Sequence, residues 1–217
     1  MKKIGIVCAL VDEAKNIIES ISSVKEEKYL FAHFFSGAVN DIDITVLCCG
    51  IGGIYSDIAT RILITKYKID HVIILGSAGA ISPQVKIGDA VIAKDIILYN
   101  TEQSFSSCTS LLEKAKAVCS STVSADSFVI GRIATVDSFV NTSCIKEDIY
   151  ESCQADCTEM ESAYIAKVCT DYHIPFIAIR IISDLADDNA AASFKATIDS
   201  IAVNLKEITL RFLSQYT

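Results

Sequence analysis

Apolar positions along this chain fall into two rhythms. Lys3–Ala9, His71–Leu75 and Ile174–Ile182 are near-continuous apolar runs, the pattern of strands covered on both faces. Tyr29–Phe35, Ile42–Cys49, Asp89–Leu98 and Phe128–Val136 read as further strands, with Gly37 and Asn40-Asp41 as turn signals between the first two. Between these runs the spacing changes to three and four. Ile17, Ile18 and Ile21 share a face after Asp12, and Ile54, Ile58 and Ile62 form a stripe after Gly53, with Asp57 and Arg61 placed to pair. Ser162–Tyr172 reads as a helix. So does the stretch carrying Phe194, Ile198, Ile201, Leu205, Ile208 and Phe212, whose one apolar face packs on a sheet. Alternating strand and helix predicts an α/β protein. No linker, repeat or low-complexity tract divides residues 1–217, so one domain is expected.

Composition narrows the function classes. The chain is 51% hydrophobic with a mean hydropathy of +0.41, which fits buried strands. Its apolar stretches fall well short of the ~20 residues a membrane-spanning helix needs. Asp12 arrives too early for a signal-peptide core, so a cytoplasmic location is expected. A net charge of −8 opposes nucleic-acid binding, which rests on neutralising phosphates with Lys and Arg. Nine cysteines without a C-x-x-C, and His33, His71 and His173 far apart, predict free thiols and no metal site.

The candidate chemistry sits at strand ends, where open α/β sheets hold their ligands. Asp12-Glu13 follows the first strand, Glu159-Met160-Glu161 precedes a helix, and Ser183-Asp184 closes the long run at Ile182. If extended, Glu159 and Glu161 face one way and Met160 the other. Each acid alone is accounted for by a helix start, a cap or a turn; together they suggest acid/base chemistry on an uncharged bond. Gly50-Ile51-Gly52-Gly53 fails the dinucleotide fingerprint, because Tyr55 stands where the third glycine belongs. A tight turn and a backbone surface close to a ligand fit it equally. Gly76-Ser77-Ala78-Gly79 reads as a turn that presents backbone N–H groups to a ligand, and it lacks the Gly-Lys-Ser/Thr of a P-loop. No cofactor is expected.

Ile4–Glu13, Gly50-Ile-Gly52, Gly76–Gly79, Ile87-Gly-Asp-Ala-Val91, Asp137-Ser-Phe139, Glu159-Met-Glu161 and Arg180-Ile-Ile-Ser-Asp184 together resemble the 5'-methylthioadenosine/S-adenosylhomocysteine nucleosidases of the nucleoside phosphorylase and nucleosidase superfamily. The resemblance spans nearly the whole chain. It implies a three-layer α/β/α, nucleoside phosphorylase-like fold around a central mixed sheet, a homodimer, and an adenine nucleoside as substrate. It also implies roles: Glu13 activates water, Glu161 clamps the ribose hydroxyls with the Met160 backbone, and Asp184 protonates purine N7. Phe139 stacks on adenine, the Val140 backbone reads its Watson–Crick edge, and Phe194 contacts the ribose side. Ile51, Ser77, Glu159, Arg180 and Ser183 complete the lining.

Two departures stand out. Lys94–Ser121 is short and lacks the His-Asp-Ala-Asp-type and Gly-Gln-x-Pro segments usual in the loop that covers the 5'-alkylthio group and joins the dimer. Thr135-Val136 replaces the usual Ser-Gly before Asp137. Adenine and ribose recognition is expected, while the 5' group is left open between methylthio, homocysteinyl and that of another purine nucleoside such as futalosine. Phosphorylases hold their nucleophile with arginines. Acids fill the equivalent first loop here and Ile74-Leu75 precede the glycines, which favours water. A non-catalytic nucleoside-binding protein would be expected to lack one of the three acids.

Overall fold

A computed structural model describes residues 2–122 and 128–216. The elements run β1 (Lys3–Cys8), α1 (Val11–Ile18), β2 (Ser22–Tyr29), β3 (Ala32–Val39), β4 (Ile42–Cys48), α2 (Gly53–Tyr67) and β5 (His71–Ala80). There follow β6 (Ala90–Leu98), β7 (Ser104–Ser106), α3 (Thr109–Thr122), β8 (Phe128–Thr135), α4 (Ser143–Cys153), β9 (Cys157–Glu159), α5 (Ser162–Asp171), β10 (Phe176–Asp184) and α6 (Ala190–Leu213).

The strands form one mixed sheet. In its first half β2, β3, β4, β1 and β5 lie side by side, with β1 parallel to both β4 and β5. In its second half β5 pairs with both β10 and β9, and the path β10, β6, β8, β9 returns to β5 as a closed ring. Every residue of β10 is buried, as its unbroken apolar sequence predicts. On one face, Leu111, Ala115 and Val118 of α3 and Ile201, Leu205 and Phe212 of α6 pack with α1 on Ile6, Ile73 and Ile179. On the other, Ala59 and Leu63 of α2 and Ile165 and Cys169 of α5 cover Val7, Ile74 and Ala178. The result is the expected three layers. No described helix is long and apolar enough to cross a membrane, and each of the nine cysteines is an unpaired thiol.

Several expectations change. Gly76–Gly79 is the second half of β5 and not a turn. Parallel pairing with β10 continues to Asp184 opposite Gly79, and β9 pairs Gly79 with Thr158 from the other side. The glycines there make room for side chains: a Cβ on Gly76 would run into the Arg180 guanidinium and lie 3.0 Å from Glu13 Oε1. The stripe of α2 is also split, with Ile62 packed against the core and the other two isoleucines turned out. Ile54 is 74% exposed and Ile58 39%, while Ser56, Ala59, Thr60, Leu63 and Ile64 turn inward. Small residues let this helix approach its neighbours closely, and Gly53 lies under the Tyr164 ring. The expected Asp57–Arg61 pair is present, with Arg61 Nε donating to Asp57 Oδ1 at 2.7 Å.

Gly37 does not turn the chain either. It sits inside β3 opposite Ile44, and the turn lies at Asn40-Asp41, both with positive φ. A Cβ at residue 37 would stand 2.5 Å from Ile21 Cγ2 and 2.5 Å from the Ser22 carbonyl oxygen. Backbone cannot yield as a flexible side chain does. Gly37→Ala is therefore expected to lower the free energy of unfolding by ~1–3 kcal/mol, the usual scale of overpacking, measured by urea denaturation. Wild-type stability in that variant would mean that β2 moves aside freely.

Candidate active site

The carboxyl ends of β1, β5 and β10 and the end of β9 converge on a cavity of about 390 Å³. Eleven of the twelve residues singled out from sequence line it: Glu13, Ile51, Ser77, Phe139, Glu159, Met160, Glu161, Arg180, Ser183, Asp184 and Phe194. The twelfth, Val140, lines a small adjoining recess beside Phe139, Met160 and Asp184. A larger hollow of about 540 Å³ opens at the opposite end of the sheet, around Lys3, Lys25, Lys66 and Lys68. It is away from the acid cluster.

Glu13 reaches the cavity because β1 ends at Cys8 and α1 starts at Val11, putting residue 13 in the first helical turn. Its side chain turns across to β5. Glu13 Oε1 accepts from the Ser77 amide at 2.8 Å and the Ser77 hydroxyl at 2.7 Å, and Oε2 accepts from the Leu10 amide at 3.1 Å. Three donors hold one carboxylate that is 2% exposed. The amides that β5 offers thus serve this protein side chain as well as the cavity.

Glu159 and Glu161 do point to one side, and what gathers them is Arg180. This arginine lies inside β10 and is 1% exposed. Its Nη2 donates to Glu159 Oε2 and lies 3.8 Å from Glu161 Oε2, while Nη2 and Nε both donate to Ser162 Oγ. Glu159 Oε2 also accepts the amides of Glu161 at 3.1 Å and Ser162 at 2.8 Å. Its Oε1 accepts the Thr135 hydroxyl at 2.5 Å. Glu161 stands immediately before α5, and its Oε1 accepts the Gly52 amide at 2.8 Å. Gly50 and Gly52 have φ of +82° and +99°, a conformation glycine adopts without strain, so this loop is a backbone surface that faces the site. Burial, and after it the neighbouring Glu159 charge, pushes the Glu161 carboxyl up to about 7.

Asp184 ends β10 and is 1% exposed. Its Oδ2 accepts the Ser183 hydroxyl at 2.6 Å and its Oδ1 accepts the Ala186 amide at 2.9 Å. Burial raises its pKa against the opposing effect of those two donors. A carboxyl group that holds its proton is a candidate acid. Met160 does not point away from the cavity as extended alternation suggested: it lines the cavity and also packs against the cluster of Ile81, Val136 and Val140. The strand β9 ends at Glu159, so strict alternation stops there.

Asp89 and Asp137 of the sequence motifs have mechanical duties. Asp89 Oδ2 accepts the Lys86 amide at 2.9 Å and closes the turn before β6, and Asp137 Oδ1 accepts the Tyr164 hydroxyl at 2.7 Å. Residues to which sequence reasoning gave no role include Ser162, Leu10 and Thr135. Thr135 and Ser162 share one signal: a hydroxyl standing inside or beside a buried apolar segment, with no water to satisfy it.

The phosphorylase superfamily pattern matches residues 3–214 of the chain. A 5'-methylthioadenosine/S-adenosylhomocysteine nucleosidase of Buchnera aphidicola subsp. Schizaphis graminum is 32% identical over 212 residues, covering 90% of this chain and 89% of that protein. The crystal structure of the nucleosidase of that name from Neisseria meningitidis, in complex with methylthio-immucillin-A, aligns with a TM-score of 0.94 at 26% identity, covering 99% of this chain and 100% of that one. A futalosine hydrolase mutant of Helicobacter pylori strain 26695 aligns with a TM-score of 0.93 at 26% identity over 99% of this chain and 100% of that one. With a superfamily pattern covering almost every residue and a relative at this identity over nine-tenths of its length, the chain belongs to the phosphorylase superfamily, and within it to the 5'-methylthioadenosine/S-adenosylhomocysteine nucleosidases.

Proposed function

We propose that the protein hydrolyses the N-ribosidic bond of 5'-methylthioadenosine and S-adenosylhomocysteine, releasing adenine and the 5-thioribose product. The observation that carries this reading is the convergence of Glu13, Glu161 and Asp184 on one cavity whose lining arginine is already paired. Breaking this bond builds positive charge on the sugar and negative charge on the base. Asp184 gives its proton to N7 and relieves the second, while the carboxylates around the sugar stabilise the first. Glu13 takes a proton from the attacking water. Glu161 and the Met160 backbone hold the ribose hydroxyls, Phe139 stacks on adenine, and the Val140 backbone reads its edge. Ser77 holds Glu13, Ser183 holds Asp184, and Ile51 and Phe194 border the sugar and its 5' group.

Water is favoured over phosphate on electrostatic grounds. Four acids line the cavity, and the one arginine among its described residues is spent on Glu159, Ser162 and Glu161. An incoming phosphate would meet no free cation there. The likeness to the futalosine hydrolase supports a second reading, in which the substrate is futalosine or another purine nucleoside. The short Lys94–Ser121 region is the compact β6–β7 hairpin followed by α3, and none of it lines the cavity, at whose rim Ile51 and Phe139 are 53% and 47% exposed.

A homodimer is part of the proposal. The outward-facing Ile54 and Ile58 border a hollow of about 330 Å³ with Leu98, Ala163 and Tyr164, rimmed by Asp57, Gln103 and Lys167. A C2 pairing would bury the same patch on both subunits. Light scattering at micromolar concentration is expected to give a dimer, and Ile54→Glu a monomer. A monomeric wild-type protein overturns this part.

Adenine release from methylthioadenosine is expected in phosphate-free buffer, with free sugar as co-product, and Glu13→Gln is expected to slow it by ~10²-fold or more. A strict need for phosphate, with a sugar 1-phosphate formed, overturns the hydrolytic reading.

Asp184→Asn keeps the shape but not the proton. Binding should survive while cleavage of adenine nucleosides collapses, with a much smaller loss on p-nitrophenyl riboside, whose leaving group needs no protonation. The pH profile carries the same logic. In the wild type, kcat/KM falls below about pH 7 as the Glu161 region takes up a proton. Asp184, whose pKa burial raises, ceases to serve as an acid once it loses its proton, so activity also falls on the alkaline side of that titration. The alkaline fall should be missing from the residual activity of Asp184→Asn. Near wild-type turnover in that variant would assign Asp184 to the turn alone.

A further inference from the structure

Thr135, the last residue of β8, is wholly buried. It pairs with Glu159 across β9 and with Leu98 across β6, so its backbone is fixed by two strands. Its hydroxyl both donates and accepts. The proton goes to Glu159 Oε1 at 2.5 Å, and the oxygen accepts the Ala163 amide of α5 at 2.9 Å. Both bonds end on the short segment that carries Glu161. Glu159 Oε2 in turn accepts the amides of Glu161 and Ser162, so one carboxylate links Thr135 to the backbone just before α5. A valine would fill nearly the same volume, so packing alone does not call for the hydroxyl.

We propose that Thr135 is a positioning residue for the ribose clamp, its hydroxyl acting through Glu159 to fix the place and the charge of Glu161. The inference rests on the reading of Glu161 as the group that holds the ribose hydroxyls. Glu159 and Glu161 lie side by side in a dry environment, and like charges there resist simultaneous ionisation. The pair is served by Arg180 from β10, the Gly52 amide from the loop before α2, the first amides of α5, and Thr135 from β8. Glu13 of α1 opposes them with its own negative charge, and the thiols of Cys157 and Cys49, raised by burial, stay neutral. Of the cation, amides and hydroxyl, the hydroxyl is the one that a substitution of equal shape removes without altering a charge. Its loss makes the doubly ionised pair harder to reach, so the pair keeps a proton to higher pH.

The test compares Thr135→Val and Thr135→Ser with the wild type, using methylthioadenosine and its 2'-deoxy analogue across pH 5–9. A hydrogen bond to a charged group is of the size of one pKa unit or more. Thr135→Val is therefore expected to move the acid limb of kcat/KM upward by about one unit, lowering kcat/KM on its steep side by about tenfold. The preference for the ribose over the deoxyribose substrate should narrow at the same time. Thr135→Ser, which keeps the hydroxyl, should overlay the wild type in both respects. If Thr135→Val does not fold, Thr135→Cys, whose thiol is a weak donor, should shift the limb in the same direction by less. An unshifted limb in the variant lacking a strong donor, or a loss equal at every pH and for both sugars, overturns the assignment. Wild-type protein that releases no adenine would instead overturn the functional reading, and this is seen before any variant is compared.

Discussion

A guanidinium ion in the middle of a buried strand is the most demanding group in this molecule. Removing Arg180 from water costs several kcal/mol unless its charge and its donors are met, and deleting one partner of such a pair commonly costs ~3–5 kcal/mol. Glu159 and Ser162 meet it directly and Glu161 from a little farther away. Much of the site follows from that need. Gly76 has no side chain because the guanidinium occupies the space a Cβ would take. The segment Glu159–Ser162 must end its strand and start its helix where it does, so that one carboxylate can accept both the arginine and two amides. The same cation lies close enough to Glu13 to be influenced by its charge. Thus one residue of β10 gathers acids from α1 and from the β9–α5 junction into a single electrostatic unit.

The sequence announces the strands whose burial is complete and the helices whose apolar face is turned inward. β1, β10 and α6 are read correctly for that reason. It misleads where local chemistry has two explanations. Gly37 and Gly76 looked like turn formers, yet both are strand residues whose missing Cβ makes way for something across the sheet, and only the partner's position reveals that. The stripe of Ile54 and Ile58 has ideal helical spacing and faces outward, since periodicity shows that a face exists and not which neighbour it meets. α3 escaped notice although Leu111, Ala115, Val118 and Cys119 are spaced as a buried face. α4 has a physical excuse, as it buries only Ile149.

The acids were visible because carboxylates after apolar runs are conspicuous. Their partners are less so. Ser77 and Arg180 enter only through the family resemblance, Thr135 only as a departure from it, and Ser162 not at all. Their bonds show only from the atoms they face. The network also explains the Thr135-Val136 departure. Threonine keeps the hydroxyl a serine would supply, so the polar contact with Glu159 survives the change.

The closed ring of β5, β10, β6, β8 and β9 divides the site into two regimes of tolerance. Residues inside it are cross-braced by strands on both sides and by a shared charge, so a change at any one disturbs the others. Ile51 and Phe139 stand outside that bracing, on loops, with about half of their surface open. Drift can therefore rework the rim of the cavity while the buried carboxylate network stays untouched. A lineage built on this frame can change its diet without relearning its chemistry.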